Sequence, residues 1–128
     1  MSFMFYECFS LKRLNIKNFN SIHANYQMDY MFSGCSSLKE LNLNNFNTNN
    51  VTNMSWMFSR CSSLNELKLN NLNTNNVTNM GYMFYGCSSL KELNLNNFNT
   101  INVIGMFSMF YGCSEELINK IRNQYNFI

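Results

Sequence analysis

Apolar and polar residues follow a long pattern along this chain that repeats about every 26 residues. The segment "MFSGCSSLKELNLNNFNT" begins at Met31 and returns from Met83 with one change, Ser33 against Tyr85. A diverged copy, "MFSRCSSLNELKLNNLNT", begins at Met57. The pattern defines five units, of which the first has one extra residue. Units one to five start at Met1, Met28, Met54, Met80 and Met106.

Two shorter periodicities lie inside each unit. Leu67 and Leu69 flank Lys68, an alternation that predicts a short strand with one buried face. The start of the unit instead has the i, i+3, i+4, i+7 spacing of one apolar helix face, which predicts a helical turn. This spacing is shown by Met54, Met57, Phe58 and Cys61.

A single unit of this kind is too small to bury its own apolar side, whereas stacked units bury it against each other. The expected fold is therefore a right-handed α/β solenoid of four full coils and a partial fifth. Its strands should form a parallel ladder with a spacing of roughly 4.8 Å. The predicted strands centre on Leu14–Ile16, Leu41–Leu43, Leu67–Leu69 and Leu93–Leu95.

The array is predicted to cover residues 1–113 and to end in a capping helix at 114–128. After Cys113 the strand pattern stops, and "SEELINKIRNQYNF" reads as a helix with Ser114 as its N-cap. Its apolar face should cover the last coil. That face is formed by Leu117, Ile118, Ile121 and Tyr125. The start has no comparable cover, although Lys12, Arg13 and Lys17 add charge that disfavours pairing of the first strand.

The motif L-x-x-L-x-L in "LKELNL" is the leucine-rich-repeat signature. The wider pattern M-x-x-M-F-x-G-C-S-S-L-x-x-L-x-L-x-x-F-N-T-x-x-V resembles the BspA family of leucine-rich-repeat surface proteins over residues 1 to about 113. The resemblance implies a leucine-rich-repeat solenoid with a parallel β-ladder on one side and short helical turns on the other. It also implies an adhesin-like protein, at the cell surface or secreted, that contacts host or neighbouring-cell proteins.

Composition removes several other classes. The net charge of +2 is too small to favour nucleic acid as a partner. The sequence contains no run of about 18 apolar residues, so membrane insertion is not predicted. The N-terminal segment does not resemble a signal peptide. A cytoplasmic location is therefore an alternative to the surface location that the resemblance implies.

The five cysteines occur once per unit, at Cys8, Cys35, Cys61, Cys87 and Cys113. Zinc sites need close pairs such as C-x-x-C, which this spacing does not provide. We expect free thiols that act as small buried apolar groups. The asparagine columns, such as Asn47, Asn73 and Asn99, are expected to bond turn backbone and to form side-chain ladders.

No catalytic, metal or cofactor site is predicted. His23 is the only histidine, and its segment offers no acid or nucleophile to work with it. The column Glu40, Glu66 and Glu92 could bind a cation, but a solvated face of mixed charge is the simpler interpretation. That face is the first candidate contact surface. Its residues are Lys39, Glu40, Asn42, Glu66, Lys68, Lys91, Glu92 and Asn94.

The second candidate surface is a column of aromatic residues opposite the apolar face of the turn. It consists of Phe3, Tyr30, Trp56 and Tyr82, with Tyr6, Tyr85 and Tyr111 three positions further on. Exposed aromatic side chains in a line could anchor a protein or stack on sugars. The simpler interpretation is an aromatic ladder that pads the convex surface.

Two functions follow from these observations. The first is a non-enzymatic module that binds an unidentified protein partner or host surface molecule. The alternative is a structural role, in which the thinly covered first unit pairs with another copy or with a longer chain. No nucleophile–base pair, phosphate loop or metal spacing predicts an enzyme.

Overall fold

The computed structural model describes residues 1–17 and 26–126. Most of these residues lie in turns and irregular segments. Three regular elements are described: strand β1 at Glu40–Asn42, strand β2 at Glu66–Lys68 and helix α1 at Glu115–Gln124. His23 and the asparagines of the first unit's return segment, Asn18 and Asn20, lie outside the described residues.

Strands β1 and β2 pair in parallel, as the leucine alternation predicts. Leu41 lies opposite Leu67, and both side chains are buried. Their flanking residues Glu40 and Glu66 are exposed. Both strands begin one residue earlier than the predicted segments 41–43 and 67–69.

The other two predicted strands, at 14–16 and 93–95, are not strands in the structure, so this part of the prediction is wrong. The first segment borders a groove of about 350 Å³, with residues of β1 and β2 along its other side. Arg13 and Lys17 also line this groove. In the second segment the Leu95 N–H donates to the hydroxyl of Tyr125, the residue that follows α1, at 2.9 Å.

The predicted helical turn is also wrong, because left-handed residues interrupt it. Each unit carries two of them, at its third and seventh positions, as at Trp56 (φ 59°) and Arg60 (φ 59°) in unit three. A right-handed helix cannot continue through such residues. The chain instead forms consecutive tight turns, with the Cys61 N–H donating to the Phe58 carbonyl at 3.2 Å. We call the eight residues from a unit's first methionine to its cysteine the turn segment.

Backbone hydrogen bonds join each turn segment to the next. In unit three the N–H groups of Trp56, Phe58 and Arg60 donate to unit-four carbonyls at 3.0, 2.9 and 2.6 Å. Isolated parallel bridges continue the same register just before each turn segment. They pair Gln27 with Asn53, Asn53 with Asn79, and Asn79 with Gly105. The units therefore lie side by side in one repeated register, even where no regular strand forms.

Stacked phenylalanine rings form the centre of the core. Neighbouring rings of this inner phenylalanine column are 5.4–5.7 Å apart and within 12° of parallel. The column consists of Phe5, Phe32, Phe58, Phe84 and Phe110. The unit-opening methionines Met28, Met54 and Met80 are fully buried beside it. Each repeated position thus packs against its own copy in the next unit.

Asparagine side chains bond the return segments. Asn73 donates from Nδ2 to Asn49 Oδ1 at 2.7 Å, and Asn99 donates to Asn75 Oδ1 at 3.1 Å. Asn73 Oδ1 also accepts from the Asn75 N–H at 2.9 Å, which stabilises the turn. The asparagine side chains therefore form ladders as expected, but each hydrogen bond joins asparagines at two different positions of the repeat instead of the same position in neighbouring units.

Helix α1 begins where the sequence predicts but is shorter than the predicted segment 114–128, because it ends at Gln124 and Tyr125 is its C-cap with an extended backbone. Ser114 is its N-cap and accepts the Leu117 N–H at 3.2 Å, with Glu115 and Glu116 in the first turn. Leu117 and Ile121 are fully buried against the array. With ten residues α1 is about 15 Å long. Within the described residues, no helix has the length and apolar character needed to span a bilayer.

Candidate binding surfaces

The outer aromatic column (Phe3, Tyr30, Trp56 and Tyr82) is continuous in the structure. The centroids of successive rings are 4.8, 5.6 and 4.0 Å apart, with interplanar angles of 7°, 6° and 14°. Trp56 is therefore sandwiched between Tyr30 and Tyr82. Phe107 extends the column by an edge contact to Tyr82 at 5.1 Å.

The left-handed backbone explains why these rings point outward. Tyr30, Trp56 and Tyr82 have φ values of 57–59°, while their neighbours Met31, Met57 and Met83 are fully buried. A bulky residue in this region is strained by about 1–2 kcal/mol. Each stacked pair of rings contributes about 0.5–1.5 kcal/mol, which offsets part of this backbone strain. These three residues are half-buried and Phe3 is 52% exposed, so the edges of the rings are accessible to solvent.

A second row of aromatic residues runs beside the column and is incomplete. Units one, four and five place Tyr6, Tyr85 and Tyr111 at the sixth position, and Tyr85 stacks on Tyr111 at 5.5 Å. Units two and three have Ser33 and Ser59 at that position. A groove of about 500 Å³ lies over the two serines, and we call it the serine groove. Its lining also includes Tyr6, Glu7, Phe9, Tyr30, Trp56 and Arg60.

Arg60 occupies a position in its unit that otherwise favours glycine. The equivalent residues Gly34, Gly86 and Gly112 share its left-handed backbone, as does Glu7. Arg60 is exposed, and it forms no ion pair with the described residues of the chain. The serine groove is thus lined by aromatic side chains together with the cationic side chain of Arg60.

The candidate strand face is exposed along its whole length. Its eight residues Lys39, Glu40, Asn42, Glu66, Lys68, Lys91, Glu92 and Asn94 are all exposed. Glu66 pairs with Lys68 at 3.0 Å. Lys120 of α1 approaches Glu92 at 3.4 Å and the Lys91 carbonyl at 3.4 Å, so the helix partly engages this face in unit four. Exposed pairs of this type contribute little to stability.

The glutamate column does not form a cluster of ligands. Glu40 and Glu66 are Cα partners across the sheet, but Glu66 is paired with Lys68 and Glu92 with Lys120. No group of three or more His, Cys, Asp or Glu side chains in the described part of the chain is arranged to hold a metal ion.

The cysteine column is buried and free of disulfides, as expected, at Cys35, Cys61 and Cys87. Each thiol donates to a carbonyl of the preceding unit, as Cys61 does to Phe32 at 3.1 Å. Burial raises the pKa of the Cys35 thiol to about 11 and raises that of Cys61 further. Because the thiolate is the reactive form, these groups are chemically inert at neutral pH.

Sequence reasoning missed the serine groove, Glu7, Phe9 and Arg60. The signal was present in the repeat alignment, where Ser33 and Ser59 replace the tyrosine of the other units. It also missed apolar exposure at the end of unit four and the start of unit five, where Ile101, Ile104 and Phe107 are exposed. Units two and three have Asn and Thr at the positions of Ile101 and Ile104, and earlier units have Ser, Asp or Gly at that of Phe107.

Comparison with known proteins gives one family and one solved structure. No curated protein sequence matches the chain. A solved structure of a leucine-rich repeat protein from Eubacterium ventriosum matches with 20% identity and a TM-score of 0.44. The match covers 64% of this chain and 20% of that chain. A family model described as "Mycoplasma protein of unknown function, DUF285" matches residues 1–124. Because that match spans nearly the whole chain, the protein belongs to the DUF285 family.

Proposed function

We propose that this repeat protein is a non-enzymatic protein-binding module, built as a BspA-like leucine-rich-repeat solenoid, whose binding surface is the outer aromatic column. The observation that carries the proposal is a line of parallel aromatic rings on the outside of the array, with spacings of 4.0–5.6 Å. Partly exposed aromatic residues on a rigid support are typical anchors of protein interfaces.

The way the rings stack favours a protein over a sugar. Sugars bind aromatic side chains through the ring face, whereas both faces of Trp56 are covered by Tyr30 and Tyr82. The accessible parts are ring edges, which carry the positive end of the aromatic quadrupole. Edges of this kind contact aromatic faces and carbonyl groups, which protein partners supply. The ladder also stabilises the array, so padding and binding are compatible roles.

The chemistry of the nucleophilic groups supports a role without catalysis. The pKa values of Cys35 and Cys113 are raised to about 11 by burial, so both thiols stay protonated near pH 7. A catalytic nucleophile requires the opposite shift or a base beside it. The resemblance to BspA-type repeats further supports a cell-surface or secreted location, which surface labelling of intact cells would test.

Selection of peptides from a random phage-displayed library on the immobilised full chain tests the proposal. We expect enriched peptides with micromolar Kd values that weaken at least tenfold in Trp56→Ser and in Tyr82→Ser. Lys68→Ser changes an exposed residue of the strand face and should bind as wild type. Circular dichroism melts would show that the variants are folded. An absence of enriched peptides, or binding unaffected by both column variants, would reject the aromatic column as the binding surface.

Self-association is a second candidate, favoured by the exposed apolar side chains of unit one. Phe3, Met4 and Phe9 are 52%, 44% and 56% exposed. A second copy that covers these side chains would gain their burial. Light scattering over a concentration series separates the two functions. A mass that rises with concentration, and falls back in Met4→Ser/Phe9→Ser, supports assembly, whereas a constant monomer mass removes this candidate.

A further inference from the structure

We propose that the serine groove is a pocket for one aromatic side chain of a partner peptide, which occupies the place where tyrosine is missing in units two and three. This inference rests on the proposed function, and it adds the chemical class that the partner presents. It is carried by three observations: the replacement of tyrosine by serine, the space above Ser33 and Ser59, and a buried hydroxyl without a partner.

The replacement is specific to two adjacent units. The sixth position reads Tyr6, Ser33, Ser59, Tyr85 and Tyr111 along the array. At a spacing of roughly 4.8 Å per unit, two absent rings correspond to about 10 Å of the row. The opening is narrower than this, because Tyr6 contacts Tyr30 of unit two at 6.1 Å and Tyr85 contacts Trp56 of unit three at 5.9 Å. The backbone at this position accepts an aromatic residue, because Tyr85 and Tyr111 occupy it in later units and stack at 5.5 Å and 12°.

The volume of the opening suits one ring with its adjoining peptide. The serine groove holds about 500 Å³, and an enclosed cavity of about 150 Å³ already admits benzene. Tyr6 borders it from unit one and lies edge-on to Tyr30 with centroids 6.1 Å apart. Trp56 borders it in unit three. An inserted ring therefore meets aromatic edges on its sides, in the geometry that aromatic pairs favour.

Ser59 supplies an independent sign of a ligand. The residue is 1% exposed, and its hydroxyl has no hydrogen-bond partner in the described residues. A buried hydroxyl left unpaired is destabilising. The N–H or carbonyl of a peptide next to the inserted ring would provide the missing bond. A bare hydrocarbon would not.

The lining carries one charge of each sign, which suits a peptide without a strong net charge. Glu7 accepts a hydrogen bond from the Tyr6 hydroxyl, which raises the pKa of Tyr6. The Glu7 carboxylate keeps its negative charge in this bond, and Arg60, two units further along the same column, adds a positive charge to the same lining. Arg60 can stack on a ring face or bind a carbonyl of the peptide.

The single tryptophan reports directly on binding, since Trp56 lines the groove. The probe is N-acetyl-L-tyrosinamide, titrated against the full chain with excitation of Trp56. We expect a saturable change in the fluorescence of Trp56 with a Kd on the order of 1 mM, which is typical of a ligand this small. N-acetyl-L-leucinamide and methyl glucoside should bind at least tenfold more weakly.

Filling the groove from the chain itself is the matched test. Ser59→Tyr restores the missing tyrosine and should weaken probe binding at least tenfold, and Ser33→Tyr should act in the same direction. Asn119→Tyr adds an exposed tyrosine on α1 and should leave binding unchanged. Ser59→Ala keeps the space but removes the hydroxyl, so its affinity should fall by about three- to tenfold.

Several results would overturn the proposal. These are equal binding by wild type and both folded tyrosine variants, equal binding of the leucine probe, or tighter binding of the glucoside. If peptides selected on the outer aromatic column bind wild type and Ser59→Tyr equally, the pocket is rejected while the protein-binding function stands. If the probe binds the groove but no peptide is selected, the protein-binding function and the peptide occupant are rejected, and only the preference of the groove for an aromatic ring stands.

Discussion

Replacement of Ile121 by alanine tests whether α1 is a structural part of the array. Ile121 is completely buried between α1 and the last units. Alanine removes three carbon atoms, worth about 0.8 kcal/mol each on transfer, and leaves a cavity that adds to the loss. We therefore expect the free energy of unfolding to fall by about 2–5 kcal/mol. For a chain of 128 residues this lowers the Tm by very roughly 8–20 °C.

The chain provides a matched control in Ile104, which is 93% exposed. Ile104→Ala makes the same chemical change and should alter stability by less than about 0.5 kcal/mol. Urea unfolding is followed by circular dichroism at the helix band and by Trp56 fluorescence. In Ile121→Ala the helical signal should be lost at lower urea than the Trp56 signal, because a terminal unit has only one neighbour. Equal stability of the two alanine variants would show that α1 does not stabilise the array.

Two further predictions concern the turn segments and the thiols. Gly34 and Gly86 are both left-handed, but an added Cβ at Gly34 would lie 3.0 Å from Glu7 Cγ, against 3.7 Å for the nearest atom at Gly86. Gly34→Ala should therefore lower the urea midpoint more than Gly86→Ala, and the reverse order would contradict the stacking of units one and two. Burial raises the pKa of Cys35 and Cys113 from 9.0 to about 11. The folded state holds these protons more tightly than the unfolded state, so stability should be constant below about pH 8 and fall from about pH 9 to 11. Cys35→Ala should flatten this fall in urea titrations at each pH, and an unchanged slope would assign it to other groups.

The repeat and its buried strand alternation could be predicted from sequence because each unit repeats the same local signal. Leu41 and Leu67 alternate with exposed residues, and both lie in strands. The end of the array could also be predicted from adjacent residues, because Ser114, Glu115 and Glu116 are the cap and first-turn residues that helices favour. Such features depend on neighbours in the chain.

The errors have physical causes that the hydrophobic pattern does not carry. The spacing of Met54, Met57 and Phe58 fits a helix, yet left-handed residues at Trp56 and Arg60 convert the segment into turns. The glycines at the same position in units two, four and five were the available sign of this backbone. The missing strand at 93–95 has no local sign, because this segment carries the same leucine alternation as β1 and β2. Its Leu95 N–H bonds Tyr125, thirty residues away, and no local pattern reports such a contact.

The register of the array and the outer aromatic column are tested together by NMR contacts of Trp56. It is the single tryptophan, so its indole signals are assigned without ambiguity despite the repeats. We predict cross-relaxation from the indole to three tyrosine rings, of which Tyr85 is tilted at 5.9 Å. The other two, Tyr30 and Tyr82, stack on the indole with centroids 5.6 and 4.0 Å away. Tyr30→Leu and Tyr82→Leu should each remove the contacts to the replaced ring. An indole with contacts to neither of these two stacked rings would contradict the stacked register and the binding surface built on it.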